Sequence, residues 1–151
     1  MTDTANGVAL VPSVEAGVVN ALQHECGETS ESHGFKNDWH IAARLEEFAD
    51  SFFEGEHKKL LIDAAVALRN NILAAKLALI HSEISEALES LRKNGGAQGA
   101  LDGQGNFGEE LADAMVRILD TGTFTKDNLG DELLHKMKVN QGRPHMHGKV
   151  M

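Results

Sequence analysis

The sequence predicts an all-α protein, a helical bundle in one domain spanning residues 1–151, and three observations carry that prediction. No window alternates apolar and polar residues with the period of a strand, and no β-branched run occurs. Pro12 and Pro144 are the only prolines, so the interior between them is free of the strongest helix breaker. Ala, Leu, Glu and Lys, all good helix formers, fill its longest breaker-free stretch. With 151 residues and 42% apolar composition the chain is long enough to bury one core.

The first helix is predicted over Val14–Glu25, with Ser13 as N-cap, Val14, Val18, Val19 and Leu22 on one face, and an end near Gly27. Gly27 to Asn37 is polar and glycine-containing and reads as an irregular loop or frayed helix end. Trp39, Ile41, Leu45, Phe48, Phe52 and Phe53 then recur at mostly helical intervals up to Gly55. Leu60 to Lys93 predicts one long helix or two stacked ones. Residues of about 93–108 hold Gly95, Gly96, Gly99, Gly103 and Gly105 and almost nothing apolar, which predicts a flexible connection. Helix resumes at Glu109 with Leu111, Met115, Ile118 and Leu119 as its buried stripe, and ends around Gly122. A last helix is predicted over about Thr125–Asn140, capped by Thr125 or Asp127, before a basic tail at 141–151.

Glu83 and Glu86 stand three residues apart in the long helix, a spacing that places both carboxylates on one side. Glu110 and Asp113 repeat the geometry on the next helix. Two such helices packed antiparallel would bring four oxygen-only side chains to one point in the bundle. That set, without His or Cys at matching positions, suits Mg²⁺, with Mn²⁺ as a substitute, better than Zn²⁺. Pairs of this kind are also common on solvated helix faces, and Arg117, one turn after Asp113, offers a plain salt-bridge partner. Apolar flanks, Leu79, Ile80, Ile84 and Leu88 around the first pair and Leu111, Ala114 and Met115 around the second, place both pairs at the edge of the core. There a carboxylate is costly unless paired or metal-bound.

The net charge of −9 and pI near 5.3 argue against a nucleic-acid polymer as partner. They require that any anionic ligand be met by metal or by local cations. Such cations gather at the C-terminal end, where Lys136, Lys138, Arg143 and Lys149 accompany His135, His145 and His147. A guanidinium at Arg143 suits a phosphate bidentately, and Lys136 and Lys149 act as point charges. The lone tryptophan, Trp39, is either core or a ring that stacks on a base. A single cysteine, Cys26, allows no internal disulfide, and no segment approaches a membrane span, so a soluble protein of the reducing cytoplasm is expected.

The strings LALIHSEISEALESLRK, with Glu83 and Glu86, and GEELADAMVRILD, with Glu110 and Asp113, resemble the paired ExxE and ExxD signature of the MazG-type all-α nucleoside triphosphate pyrophosphohydrolases. KMKVNQGRPHMHGK resembles the tail of the small stand-alone members of that family, and HECGETSESHGFKNDW resembles their N-terminal region more faintly. The resemblance implies that Glu83, Glu86, Glu110 and Asp113 coordinate Mg²⁺ and that Lys136, Asn140 and Arg143, with Lys149, contact the triphosphate. It also implies hydrolysis to monophosphate and pyrophosphate by a homodimer or homotetramer in which helices of two subunits build each site. Leu45 to Asn71 is longer than the connection expected of the family, which leaves Trp39 and Asn37 open as base contacts. Two other readings stay open: a specialist for one deoxynucleotide such as dGTP, dUTP or dCTP, and a non-enzymatic, metal-stabilised helical module.

Overall fold

The computed structural model describes residues 12–143, and side chains from residue 16 onward. They form α1 (Pro12–Ser32), α2 (Asn37–Phe52), α3 (Gly55–Lys93), α4 (Gly96–Leu101), α5 (Phe107–Thr125) and α6 (Leu129–Gln141), with no strand among the described residues. The all-α class is as the periodicity requires. No helix among them is long and apolar enough to cross a membrane.

The axis of the fold is α3, whose 39 residues make one continuous helix about 58 Å long. On its C-terminal half packs α5, and the order of paired residues fixes the direction: Lys76 meets Asp120, Glu83 meets Arg117, and Ser90 meets Asn106. As numbers rise on α3 they fall on α5, so the two helices are antiparallel. The N-terminal half takes α2 in the same sense, through Glu46–Arg69 and Asp50–Lys58. In turn α1 lies on α5 and α6. The Asn20 and Gln23 side chains accept from the backbone N–H groups of Gly130 (2.8 Å) and Leu129 (3.0 Å). Those bonds cap α6 from outside and replace the expected local caps, since Thr125 bonds instead to Asp127.

Several boundaries depart from the sequence reading. The stretch expected as a loop after Gly27 continues α1 to Ser32. Gly27 is an interior position, where a Cβ would meet Thr123 Cγ2 at 2.7 Å, and the turn comes later, at Gly34 with φ 77°. Likewise Gly122 does not end α5 but lets it approach Leu129 and Gln23, and the helix stops at Lys126 in the left-handed region. The connection of residues 93–108 is not free of secondary structure. It contains α4, the Gln104 N–H donates to the Gly99 carbonyl (2.8 Å), and a Cβ on Gly99 would land on the Asn94 carbonyl group. Gly99→Ala should therefore lower stability by about 1–3 kcal/mol in equilibrium denaturation; wild-type stability would mean that the connection is as slack as its composition suggests.

The buried faces also differ from expectation. Small residues are inside: Ala42 and Ala49 on α2, Ala65 and Ala87 on α3, Ala114 on α5. Of the stripe expected to be buried on α5, Leu111, Met115 and Ile118 are exposed and Leu119 is half-buried; Val18, Leu22, Ile41, Phe48 and Phe52 are exposed as well. Among the described residues no large side chain is fully buried. The physical reason is that helix pairs here approach through alanine, glycine and acidic positions, which turns the neighbouring large residues outward. One residue past a contact position turns a helix by about 100°. Since α3 and α5 are antiparallel, Ile84 and Leu88 on one and Leu111, Met115 and Ile118 on the other turn to the same side of the pair.

Candidate metal centre

The contact face of α3 carries Glu83, Ala87 and Ser90, and that of α5 carries Glu110 and Ala114, all buried. Helical spacing groups them, since positions three, four and seven apart share a face. Alanine beside each glutamate lets the helices come close enough for the carboxylates to meet. One oxygen each of Glu83, Glu110 and Asp113 lies within 4.8 Å of the others, with the two glutamates only 6% and 7% exposed. Of the four carboxylates singled out from the sequence, three are therefore brought together. Glu86 stands one turn along α3, exposed, accepting a hydrogen bond from the Ser82 hydroxyl at 3.3 Å.

Two further side chains belong to the arrangement. The Arg117 guanidinium donates through Nε to Glu83 Oε1 at 2.5 Å, rather than pairing with Asp113 as its spacing suggested. The Asn106 amide donates to Glu110 Oε1. Neither contact was read from the sequence. The signal for Arg117 was present, since residues 110, 114, 117 and 121 share one face of α5.

Charge is left over. Burial holds the Glu110 carboxyl above the ordinary glutamate value, and the negative charges of Glu86, Glu83, Asp113 and Glu109 add to the effect. One guanidinium offsets one of the three clustered charges and leaves two, which is what a divalent cation supplies. Hard oxygen donors are of the chemistry that Mg²⁺ or Mn²⁺ takes.

A stability consequence follows for the metal-free protein. A carboxyl whose folded value is raised binds its proton more tightly folded than unfolded. Its contribution is fully present below the ordinary glutamate value and is lost as pH rises through the raised one. Glu110→Gln imitates the protonated state at every pH. In chelator, the melting temperatures of wild type and Glu110→Gln should coincide at the acidic end, and the variant should pull ahead as pH rises through that window. A gap independent of pH would contradict the electrostatic account.

Two of the cations expected at the site, Lys136 and Arg143, do not meet the carboxylates within this chain. Lys136, Asn140 and Arg143 are exposed on or just after α6, which packs chiefly on α1, and none has a hydrogen bond or ion pair to the three carboxylates. Lys149, His145 and His147 lie outside the described residues. Trp39 is not beside the carboxylates either. Its ring meets Phe124 edge-on at 5.2 Å, with the Arg69 guanidinium 5.4 Å from the ring centre, and Phe124 lies roughly 20 Å along α5 from Glu110. Lys76, 4.2 Å from the Phe124 ring and 2.6 Å from Asp120, completes that junction. Cys26 sits nearby, its thiol pushed up by burial and by the charges of Asp120 and Glu25.

Comparison with protein-family models, with curated proteins and with solved structures found no match for this chain, so its likeness to the MazG-type enzymes rests on the sequence strings alone.

Proposed function

We propose that this protein is a MazG-type, Mg²⁺-dependent hydrolase that splits nucleoside triphosphates into monophosphate and pyrophosphate. The observation that carries the reading is the convergence of Glu83, Glu110 and Asp113 from two helices onto one point. Glu86, one turn along α3, is the fourth proposed ligand. A divalent ion held there supplies charge neutralisation for the phosphates and a more acidic bound water. Water attack on phosphorus breaks the bridging P–O bond, and pyrophosphate leaves with the electron pair. Glu83 is engaged by Arg117 while Glu109 is exposed next to Glu110, which favours Glu109 as the acceptor of the water's proton. Lys136, Asn140, Arg143 and Lys149 are proposed for the triphosphate.

The active form is proposed to be a homodimer or homotetramer. Support comes from the shared outward face of Ile84, Leu88, Leu111, Met115 and Ile118, an apolar strip of a kind that stable monomers seldom leave in water. Glu86 and Asp113 turn the other way from their contact positions, so a copy covering that strip leaves the acidic side open. Exposed α6 cations that do not reach their own chain's carboxylates are then available to a neighbour's substrate.

Pyrophosphate release from a panel of ribo- and deoxynucleoside triphosphates, with and without Mg²⁺, tests the reading. Metal-dependent release from many substrates indicates a general clearing activity. Release confined to one, such as dGTP, dUTP or dCTP, indicates a specialist that shapes the pool. Thermal stabilisation by Mg²⁺ with none by added triphosphate, and no release, would sink the enzyme reading in favour of a metal-stabilised module.

A further inference from the structure

Asn106 occupies the N-cap position of α5, and asparagine is among the best residues for that task because its side-chain oxygen can accept from a free N–H of the first turn. Here it does not: no side-chain cap bond is made. The amide is turned instead onto the Glu110 carboxylate, donating through Nδ2 to Oε1, while the Asn106 carbonyl accepts from the Glu110 N–H at 3.0 Å. A capping residue has been diverted to hold one carboxylate oxygen.

Asn106 is itself held from the other helix. Its backbone N–H donates to Ser90 Oγ at 3.2 Å, and Ser90, on the contact face of α3, is 5% exposed. The same serine is gripped by Asn94, whose Nδ2 donates to the Ser90 carbonyl at 2.8 Å and lies 3.4 Å from its hydroxyl. Gly105 makes room for this clasp, since a Cβ there would meet Ser90 Oγ at 2.8 Å. Glu110 is thus linked to Ser90 of α3 through Asn106, by polar contacts that are part-buried.

We infer that Asn106 is a positioning residue, which fixes the Glu110 carboxylate toward Glu83 and Asp113 and so presets the spacing of the metal-binding oxygens. The inference rests on the metal reading above. A carboxylate on a flexible two-methylene stem loses rotamer freedom when it coordinates, and an outer hydrogen bond that has already fixed it removes part of that cost. The glycine-rich connection then has a definite task, which is to carry Asn106 to Ser90.

The test is Mn²⁺ affinity by electron paramagnetic resonance, together with thermal stability in chelator, for wild type, Asn106→Ala and Asn106→Ser, each repeated with Glu110→Gln. Serine retains capping ability but lacks the amide that reaches Glu110, so it carries the test should the alanine variant fail to fold. Both variants are expected to loosen Mn²⁺ roughly tenfold or more. That loss should vanish in the Glu110→Gln background. Wild-type affinity in the Asn106 variants, or an equal loss with and without Glu110, overturns the positioning role and leaves the metal site standing. A wild type that does not bind Mn²⁺ overturns both. Mn²⁺ binding without pyrophosphate release removes only the nucleotide chemistry.

Discussion

Asp113→Asn should abolish pyrophosphate release while leaving the helices intact. Asp113 is exposed and has no hydrogen-bond or ion-pair partner among the described residues, so the fold does not depend on its charge. Asparagine keeps the size and one oxygen of the side chain but removes the negative charge that a hard cation requires. Losing about 4 kcal/mol of transition-state stabilisation corresponds to roughly a thousandfold in rate. The measurement is Mg²⁺-dependent release by wild type and variant at matched helical content and melting temperature. An Asp113→Asn protein with undiminished turnover would contradict the assignment of the site, because no other clustered carboxylate replaces its position between Glu83 and Glu110.

Replacing Ile84 and Met115 together by lysine should convert the proposed assembly into monomers and lower the melting temperature by about 10 °C. In the single chain both side chains are already largely in water, 47% and 61% exposed. For a protein that acts alone, the change would therefore alter stability by no more than about 0.5 kcal/mol. If a second copy covers the strip, each side chain contributes about 2 kcal/mol of burial, and two lysines placed there must be desolvated as well. Light scattering gives the mass and a thermal melt gives the stability. A monomeric wild type, or a double variant that stays assembled at wild-type stability, removes the strip as an interface and with it the proposal that a neighbouring copy's cations serve the site.

The sequence carried the helical class of this protein further than its packing. Helical period, absent prolines and the run of Ala, Leu, Glu and Lys determine an all-α chain, because these act through local backbone preference and survive in any context. The spacing of Glu83 with Glu86 and of Glu110 with Asp113 determines which carboxylates can share a helix side, for the same reason. Which side faces a neighbour is a tertiary matter. Hydrophobic periodicity pointed Leu111, Met115 and Ile118 inward, but the helices close on Ala87, Ala114 and two glutamates, one paired with Arg117 and the other bonded to Asn106. Glycines 27 and 122 read as helix ends because glycine weakens a helix locally, whereas the close passage of Thr123 and Leu129 makes them interior positions. The glycine-rich stretch after Lys93 read as free of any element for lack of apolar residues, yet it holds α4, and Ser90 is in contact with Asn94 and Asn106, 4 and 16 residues along the chain. Local propensity therefore determined the helices and their acidic pairs. Only the tertiary structure decided that Arg117 meets Glu83, that Ser90 meets Asn106 and that Leu111, Met115 and Ile118 are left outside, because each depends on how two helices are turned toward one another.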